Sequence, residues 1–71
     1  MKQLQVTKNA LGKLKSRFCW VYRNEVHAAD EGIENGDIVE ITDRNGAFLA
    51  VGYVNFQSEI TVRVLSLWKL T

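Results

Sequence analysis

The sequence predicts a small α+β domain that is mainly β: a partly closed pseudo-barrel of about five strands around one main helix. Three observations support this fold class. The 71 residues allow one domain at most, so residues 1–71 are treated as a single unit. Several short segments alternate apolar and polar residues with a period of two, which is typical of strands. One early segment instead repeats its apolar residues at intervals of three and four, which indicates a helix.

The first 16 residues predict a strand followed by this helix. Residues 3–7 alternate apolar and polar side chains and favour a short, half-buried strand. Thr7 or Asn9 then caps a helix whose periodic pattern begins at Ala10. Gly12 weakens a helix by about 1 kcal/mol relative to alanine, so we expect a short one. The predicted apolar face consists of Leu11, Leu14 and Phe18.

The middle of the chain predicts an extended segment and then a loop. Residues 18–22 are an aromatic run with extended character, which residues 23–26 continue. Residues 27–36 are acidic and interrupted by glycines, so we expect a surface loop.

The second half predicts a strand, a hairpin and a final strand. Residues 37–43 place Val39 and Ile41 on one face of a strand. Residues 43–46 form a hairpin turn, and their Asn-Gly pair suits type I′, which needs two positive φ angles. Residues 47–54 are apolar on both faces and predict the central strand, while residues 60–64 alternate as the last one.

Composition and charge exclude several classes of protein. With 46% hydrophobic and 24% charged residues, the chain has the composition of a globular domain and not of a disordered one. The longest apolar run covers only residues 47–52, which excludes a membrane-spanning helix, and no apolar signal segment begins the chain. We therefore expect a cytoplasmic protein that does not bind membranes.

Charge is divided along the chain, although the formal net charge is only +1. Residues 1–23 carry six bases and no acid, whereas residues 24–46 carry seven acids and one base. This division indicates a surface with one basic side that faces a polyanion. The alternative is that the two blocks neutralise each other across the fold, and the sequence leaves both readings open.

Three motifs in fixed order resemble a known family. The first is the run Arg17-Phe18-Cys19-Trp20-Val21-Tyr22. The second, over residues 36–53, has the pattern Gly-x-x-Val-x-Ile-x-Asp-x-x-Gly-x-x-Leu-Ala-x-Gly, and the third, over residues 58–64, has Ser-x-Ile-x-x-Arg-Val. Together they resemble the N-terminal PUA-like domain of the S-adenosylmethionine-dependent 23S rRNA cytosine-C5 methyltransferases, of the ribosomal large subunit methyltransferase I type. One departure is Cys19, which stands where the family has a proline that would fix φ.

The resemblance implies a PUA-like pseudo-barrel that binds RNA, in particular rRNA during rRNA processing. In that family a separate domain carries S-adenosylmethionine and the catalytic cysteine, and these 71 residues contain neither a glycine-rich cofactor loop nor that cysteine motif. We accordingly expect no catalytic residue, no cofactor and no enzymatic activity in this chain. A methyltransferase domain is a further candidate partner.

The candidate RNA-binding residues are basic side chains together with one tyrosine. Lysine and arginine bind backbone phosphates without reading sequence. Arg17 and Arg63 gain weight because the family pattern has an arginine at each position, although pairing of Arg63 with the acidic loop is an equal alternative. Tyr22 and Trp20 can stack on unpaired bases, but in a small domain such aromatic residues are more often core. The full set of predicted contacts is Lys8, Lys13, Lys15, Arg17, Tyr22, Arg23 and Arg63, with Lys2 a weaker candidate.

Other chemistry finds little support in the sequence. Cys19 and His27 lack an orienting partner for nucleophilic catalysis, and His27 is read as a surface histidine. The acids of residues 30–37 do not follow EF-hand spacing, so we predict a solvated loop and no metal site. The rival function is a protein-interaction or structural small-barrel domain that docks onto a partner domain, with Trp68 as a candidate contact.

Overall fold

Six strands form one curled sheet in the computed structural model, which describes residues 1–16 and 19–67. The elements are β1 (Gln3–Val6), α1 (Lys8–Lys15), β2 (Trp20–Tyr22), a 3₁₀ helix (Arg23–Glu25), β3 (Val26–Ala29), β4 (Ile38–Thr42), β5 (Phe48–Val54) and β6 (Ile60–Ser66). The strand order across the sheet is β2-β6-β5-β4-β1-β3. The mainly β fold class with one helix is confirmed.

The sheet joins distant parts of the chain. Strand β1 pairs in parallel with β4 and antiparallel with β3, whereas β4, β5, β6 and β2 pair antiparallel with one another. Strand β5 therefore lies inside the sheet, between β4 and β6, as its two apolar faces predict. The core lies on the concave side of the sheet, where the helix adds Ala10 and Leu14 to valine, isoleucine and leucine side chains of the strands.

The helix begins two residues earlier than the periodic pattern predicts. Thr7 is its N-cap, and its hydroxyl accepts a hydrogen bond from the Ala10 amide at 3.4 Å. Leu14 is buried and Leu11 is half-buried, so these two residues of the predicted apolar face are confirmed. The third, Phe18, lies outside the described residues. No helix in residues 1–16 or 19–67 is long and apolar enough to cross a membrane.

The predicted extended segment and loop between β2 and β4 are wrong in two places. Residues 23–25 form a 3₁₀ helix and do not continue the extended run. Residues 26–29 form strand β3, a strand that the sequence did not predict, because it assigned most of these residues to a loop. Strand β3 escapes detection because three of its four side chains are exposed, so it has no buried face to produce alternation.

The hairpin between β4 and β5 uses a different turn from the one predicted. The Gly46 amide donates to the Asp43 carbonyl at 3.1 Å, so Arg44 and Asn45 are the central residues and the pair Asn45-Gly46 is not. Gly46 follows with φ 87°, in the left-handed region that favours glycine. The Asp43 carboxylate accepts from the amides of Asn45 (2.8 Å) and Ala47 (2.9 Å), which fixes this turn with a bulge in place of type I′.

Gly52 is required by packing in the middle of β5. A Cβ atom at this position would lie 2.6 Å from the Arg63 carbonyl oxygen and 2.8 Å from Val62 Cγ1 on the neighbouring strand β6. Strands β5 and β6 therefore approach each other closely because residue 52 has no side chain.

Candidate nucleic-acid interface

Lys13 is not a free surface cation. Its ammonium lies 2.7 Å from Glu25 Oε1, and only 20% of the lysine side chain and 11% of the glutamate side chain are exposed. The same ammonium lies 4.3 Å from the centroid of the Tyr22 ring, within cation–π range. Glu25 Oε1 also accepts a hydrogen bond from the Tyr22 amide at 2.9 Å. This cluster ties the helix to the 3₁₀ turn and gives Lys13 a structural partner.

Lys13 therefore pairs with an acid, although residues 1–23 themselves contain none. Glu25 is 12 residues away in sequence, and the 3₁₀ turn that the sequence did not predict brings it to the helix. Tyr22 is 40% exposed, so of the two positions that the sequence left open for it, core or surface, the surface position is the one observed. Its ring is accessible on one side and contacts the lysine ammonium on the other.

Arg23 follows directly and has a weaker set of contacts. Its guanidinium lies 3.7 Å from Glu59 Oε1 and donates to the Phe56 carbonyl at 3.4 Å. Both charged side chains are more than half exposed, and exposed pairs of this kind contribute little to stability. Arg23 can therefore exchange Glu59 for a phosphate at small cost.

The lysines at the two ends of the helix are exposed and unpaired within the described part of the chain. Lys8 lines a shallow groove of about 100 Å³ together with Arg44 of the β4–β5 turn. Lys15 lies at the other end of the helix. Lys2 is exposed too, but it donates to the Glu31 carbonyl at 2.9 Å beside the acidic loop. Arg17 lies outside the described residues, so its role stays a prediction.

Part of the acidic block holds backbone amides in place. Three of its aspartates accept hydrogen bonds from backbone amides: Asp30 from Gln3, Asp37 from Glu34, and Asp43 from the hairpin residues described above. Within residues 1–16 and 19–67, Lys13–Glu25 is the one ion pair that joins the basic block to the acidic block. Direct neutralisation between the two blocks is therefore limited to Lys13 within the described residues.

A row of four side chains crosses the sheet on the face opposite the core. Trp20 of β2 is the Cα partner of Arg63 of β6, Arg63 is also the partner of Tyr53 of β5, and Tyr53 is the partner of Ile38 of β4. Residues opposite each other in antiparallel strands point to the same face with Cβ atoms about 4.5–5.5 Å apart. Arg63 is therefore flanked by an indole and a phenol ring.

Arg63 is the exposed cation of this row. Arg63 forms no ion pair and no side-chain hydrogen bond with the described residues, 1–16 and 19–67. The alternative prediction, that Arg63 pairs with the acidic loop, is therefore not met within those residues. Trp20 and Tyr53 are half-buried, so the expectation that Trp20 is core is only partly met. A pocket of about 120 Å³ lies beside Arg63, lined by Tyr53, Asn55, Ser58, Ile60, Thr61 and Arg63.

Sequence reasoning missed Tyr53 as a site residue. The signal was present, because Tyr53 alternates with the buried residues Gly52 and Val54 and must face away from the core. Its placement next to Arg63 depends on the β5–β6 register, which contains a bulge at Val51/Gly52. The sequence alone does not fix such a register shift.

The other residues considered for chemistry lie at the surface or outside the described residues. Cys19 and His27 are both exposed. Across the described ranges, no three His, Cys, Asp or Glu side chains are arranged to hold a metal ion. The predicted contact Trp68 lies outside the described residues.

The comparisons with known proteins place the chain in a family. A model of the PUA-like domain matches residues 4–67. The chain belongs to the PUA-like domain family. The match includes all six strands and the helix, so the PUA-like domain accounts for the whole described fold.

A solved structure has the same fold. It is a candidate SAM-dependent methyltransferase from Streptococcus mutans, which superposes with a TM-score of 0.78 at 20% identity. The alignment covers 100% of this chain and 18% of that protein, so this PUA-like domain corresponds to less than a fifth of its length. No curated protein sequence matches the chain significantly.

Proposed function

We propose that this PUA-like domain is an RNA-binding module that holds its RNA mainly through backbone phosphates. One observation carries the proposal: of the five described bases in the basic block, only Lys13 is held by a partly buried ion pair, whereas Lys8 and Lys15 are exposed and form no ion pair with the described residues. Lys8, Lys15 and Arg63 are exposed cations, and Arg23 adds a fourth that is held only by an exposed pair. Cations of this kind bind phosphates and release counterions, which makes RNA affinity depend on salt.

The finer proposal concerns the protein in which such a module works. The similarity to a methyltransferase chain and the three motifs support a role in docking rRNA for a SAM-dependent methyltransferase, in particular the 23S rRNA cytosine-C5 type. In this proposal the cofactor and the reacting cysteine belong to a methyltransferase domain outside these 71 residues. The PUA-like domain itself contributes affinity and orientation in the cytoplasm, and no chemical step.

Paired lysine variants test the phosphate contacts. We expect Lys8→Gln combined with Lys15→Gln to weaken binding of a structured rRNA fragment about tenfold at moderate salt, since each lost contact also removes about 0.7–0.9 from the log–log salt slope. The matched control compares two single variants, Lys15→Gln and Lys2→Gln. Each removes one positive charge, but at a different place on the surface.

The two single variants separate a defined surface from simple net charge. Lys15→Gln is expected to weaken binding several-fold, whereas Lys2→Gln, beside the acidic loop, is expected to change it less than twofold. Equal losses in both variants would show that RNA responds only to net charge. Unchanged affinity in the double variant would move the binding surface away from the helix.

A second function is favoured by a different observation, namely exposed leucines near the end of β6. Leu65 is 54% exposed and Leu67 is 46% exposed, and Leu67 lines a mainly apolar groove of about 240 Å³ with Leu14, Leu49 and Lys15. Such a surface suits docking of a partner domain. The two functions are distinguished by Leu67→Ser, which would weaken domain docking but lower RNA affinity less than Lys15→Gln does.

A further inference from the structure

The pocket beside Arg63 has the composition of a site for a planar, acceptor-rich ligand. Arg63 is the one charged residue among its lining residues. The Tyr53 ring forms part of its wall, and the register places Arg63 directly opposite that ring. A guanidinium provides donors for phosphate oxygens, and a phenol ring provides a face for stacking.

The polar groups at the far end of the pocket are held in place by the β5–β6 turn. Asn55 Oδ1 accepts from the Gln57 amide at 3.0 Å, which fixes the side chain and leaves its amide N–H groups without a hydrogen bond among the described residues. Ser58 Oγ accepts from the Ile60 amide at 3.2 Å, and the Thr61 hydroxyl donates to the Ser58 carbonyl at 3.2 Å. The Asn55 amide and the Arg63 guanidinium are therefore donors without a partner among the described residues, and the Tyr53 and Ser58 hydroxyls lie in the same lining.

We propose that this pocket binds one unpaired nucleotide of RNA, with the base stacked on Tyr53 and the phosphate bound by Arg63. The Asn55 amide then donates to an acceptor on the base edge. The proposal rests on the proposed RNA-binding function and narrows its substrate to RNA with an accessible single-stranded loop. Bases inside an A-form duplex are stacked and lie in a deep groove, so a duplex offers this pocket no base.

Two RNA probes and two variants of one residue test the stacking contact. The probes are a hairpin with an unpaired loop and a fully paired duplex of the same length and charge. We expect Tyr53→Leu to lower affinity for the loop hairpin about tenfold and to change affinity for the duplex less than twofold. Tyr53→Phe, which keeps the ring and loses only the hydroxyl, is expected to stay within twofold of the unmodified chain on both probes.

Two charge-removing variants test the phosphate contact. Arg63→Gln is expected to weaken loop binding several-fold more than Lys2→Gln, which removes the same charge beside the acidic loop. Equal effects of the two variants would contradict a specific contact at Arg63.

A measurement on the unmodified chain does not depend on whether any variant folds. A 2-aminopurine base placed in turn at each loop position is expected to lose fluorescence at one position on binding, because stacking on an aromatic ring quenches it. Unchanged fluorescence at every position, with the hairpin bound, overturns the nucleotide pocket and leaves the proposed function standing. Failure of the unmodified chain to bind either probe overturns the proposed function itself.

Discussion

Gly52→Ala tests the packing that sets the distance between β5 and β6. The added Cβ would lie 2.6 Å from the Arg63 carbonyl oxygen, 2.8 Å from Val62 Cγ1 and 3.2 Å from Ile41 Cδ1, whereas ordinary van der Waals contacts begin at 3.4 Å. The nearest atom belongs to the backbone of β6, which cannot rotate away as a side chain can. Strand β6 must therefore shift as a unit.

The expected cost follows from this geometry. Adding a methyl group to a packed interior costs about 1–3 kcal/mol, and a clash with backbone places Gly52→Ala in the upper part of that range. For a domain of this size, 1 kcal/mol corresponds to a shift in Tm of about 4–8 °C, so we expect Tm to fall by about 10 °C or more. The free energy of unfolding is measured by urea titration. The slope m is compared between the variant and the unmodified chain to establish that both unfold in the same way.

The chain provides a control with the same substitution and the opposite expected sign. Gly12 lies on the exposed side of α1, and a Cβ atom added there would meet no atom within 4 Å. Gly12→Ala is therefore expected to stabilise the domain by about 0.5–1 kcal/mol through helix propensity. If Gly52→Ala were neutral or stabilising while Gly12→Ala behaved as expected, the close approach of β5 and β6 would be wrong.

The other stability predictions concern the buried ion pair and the hairpin turn. Glu25→Ala removes the partner of Lys13 and the acceptor of the Tyr22 amide, so we expect the free energy of unfolding in urea titrations to fall by about 1–3 kcal/mol. Glu25→Gln keeps an acceptor for the Tyr22 amide and is expected to lose less stability. Equal losses in the two variants would show that the hydrogen bond from the Tyr22 amide contributes nothing. Gly46→Ala forces an L residue to φ 87° and is expected to cost about 1 kcal/mol, whereas Gly46→Asn, which tolerates this region, is expected to recover part of it; a neutral alanine variant would contradict the left-handed turn.

Local patterns predicted most of the buried elements. The helix and the last strand β6 follow from the spacing of apolar residues, and the central strand β5 follows from its continuous apolar run. Of the two predicted caps, Thr7 and Asn9, the structure has Thr7. Strand β3 could not be predicted in this way, because its sequence Val-His-Ala-Ala has mostly exposed side chains. It is a strand because it pairs with β1, more than 20 residues earlier, and such pairing leaves no local pattern.

The candidate interface was predictable only as a set of charges. The sequence correctly separated the basic block from the acidic block, but it could not show that Lys13 contacts Glu25 across an unpredicted 3₁₀ turn. It also could not place Tyr53 next to Arg63, because that contact depends on the register of two strands and on a bulge. Pairwise contacts between distant residues decide which charges remain available to a ligand.

The most direct test of the RNA-binding account is the salt dependence of binding by the unmodified chain. A labelled, structured rRNA fragment is titrated with the domain at several salt concentrations, and the dissociation constant is plotted against salt on logarithmic axes. With three or more phosphate contacts, the account predicts binding at low salt and a slope in log affinity of about −2 or steeper. The absence of binding at low salt, or an affinity that does not change with salt, would contradict it.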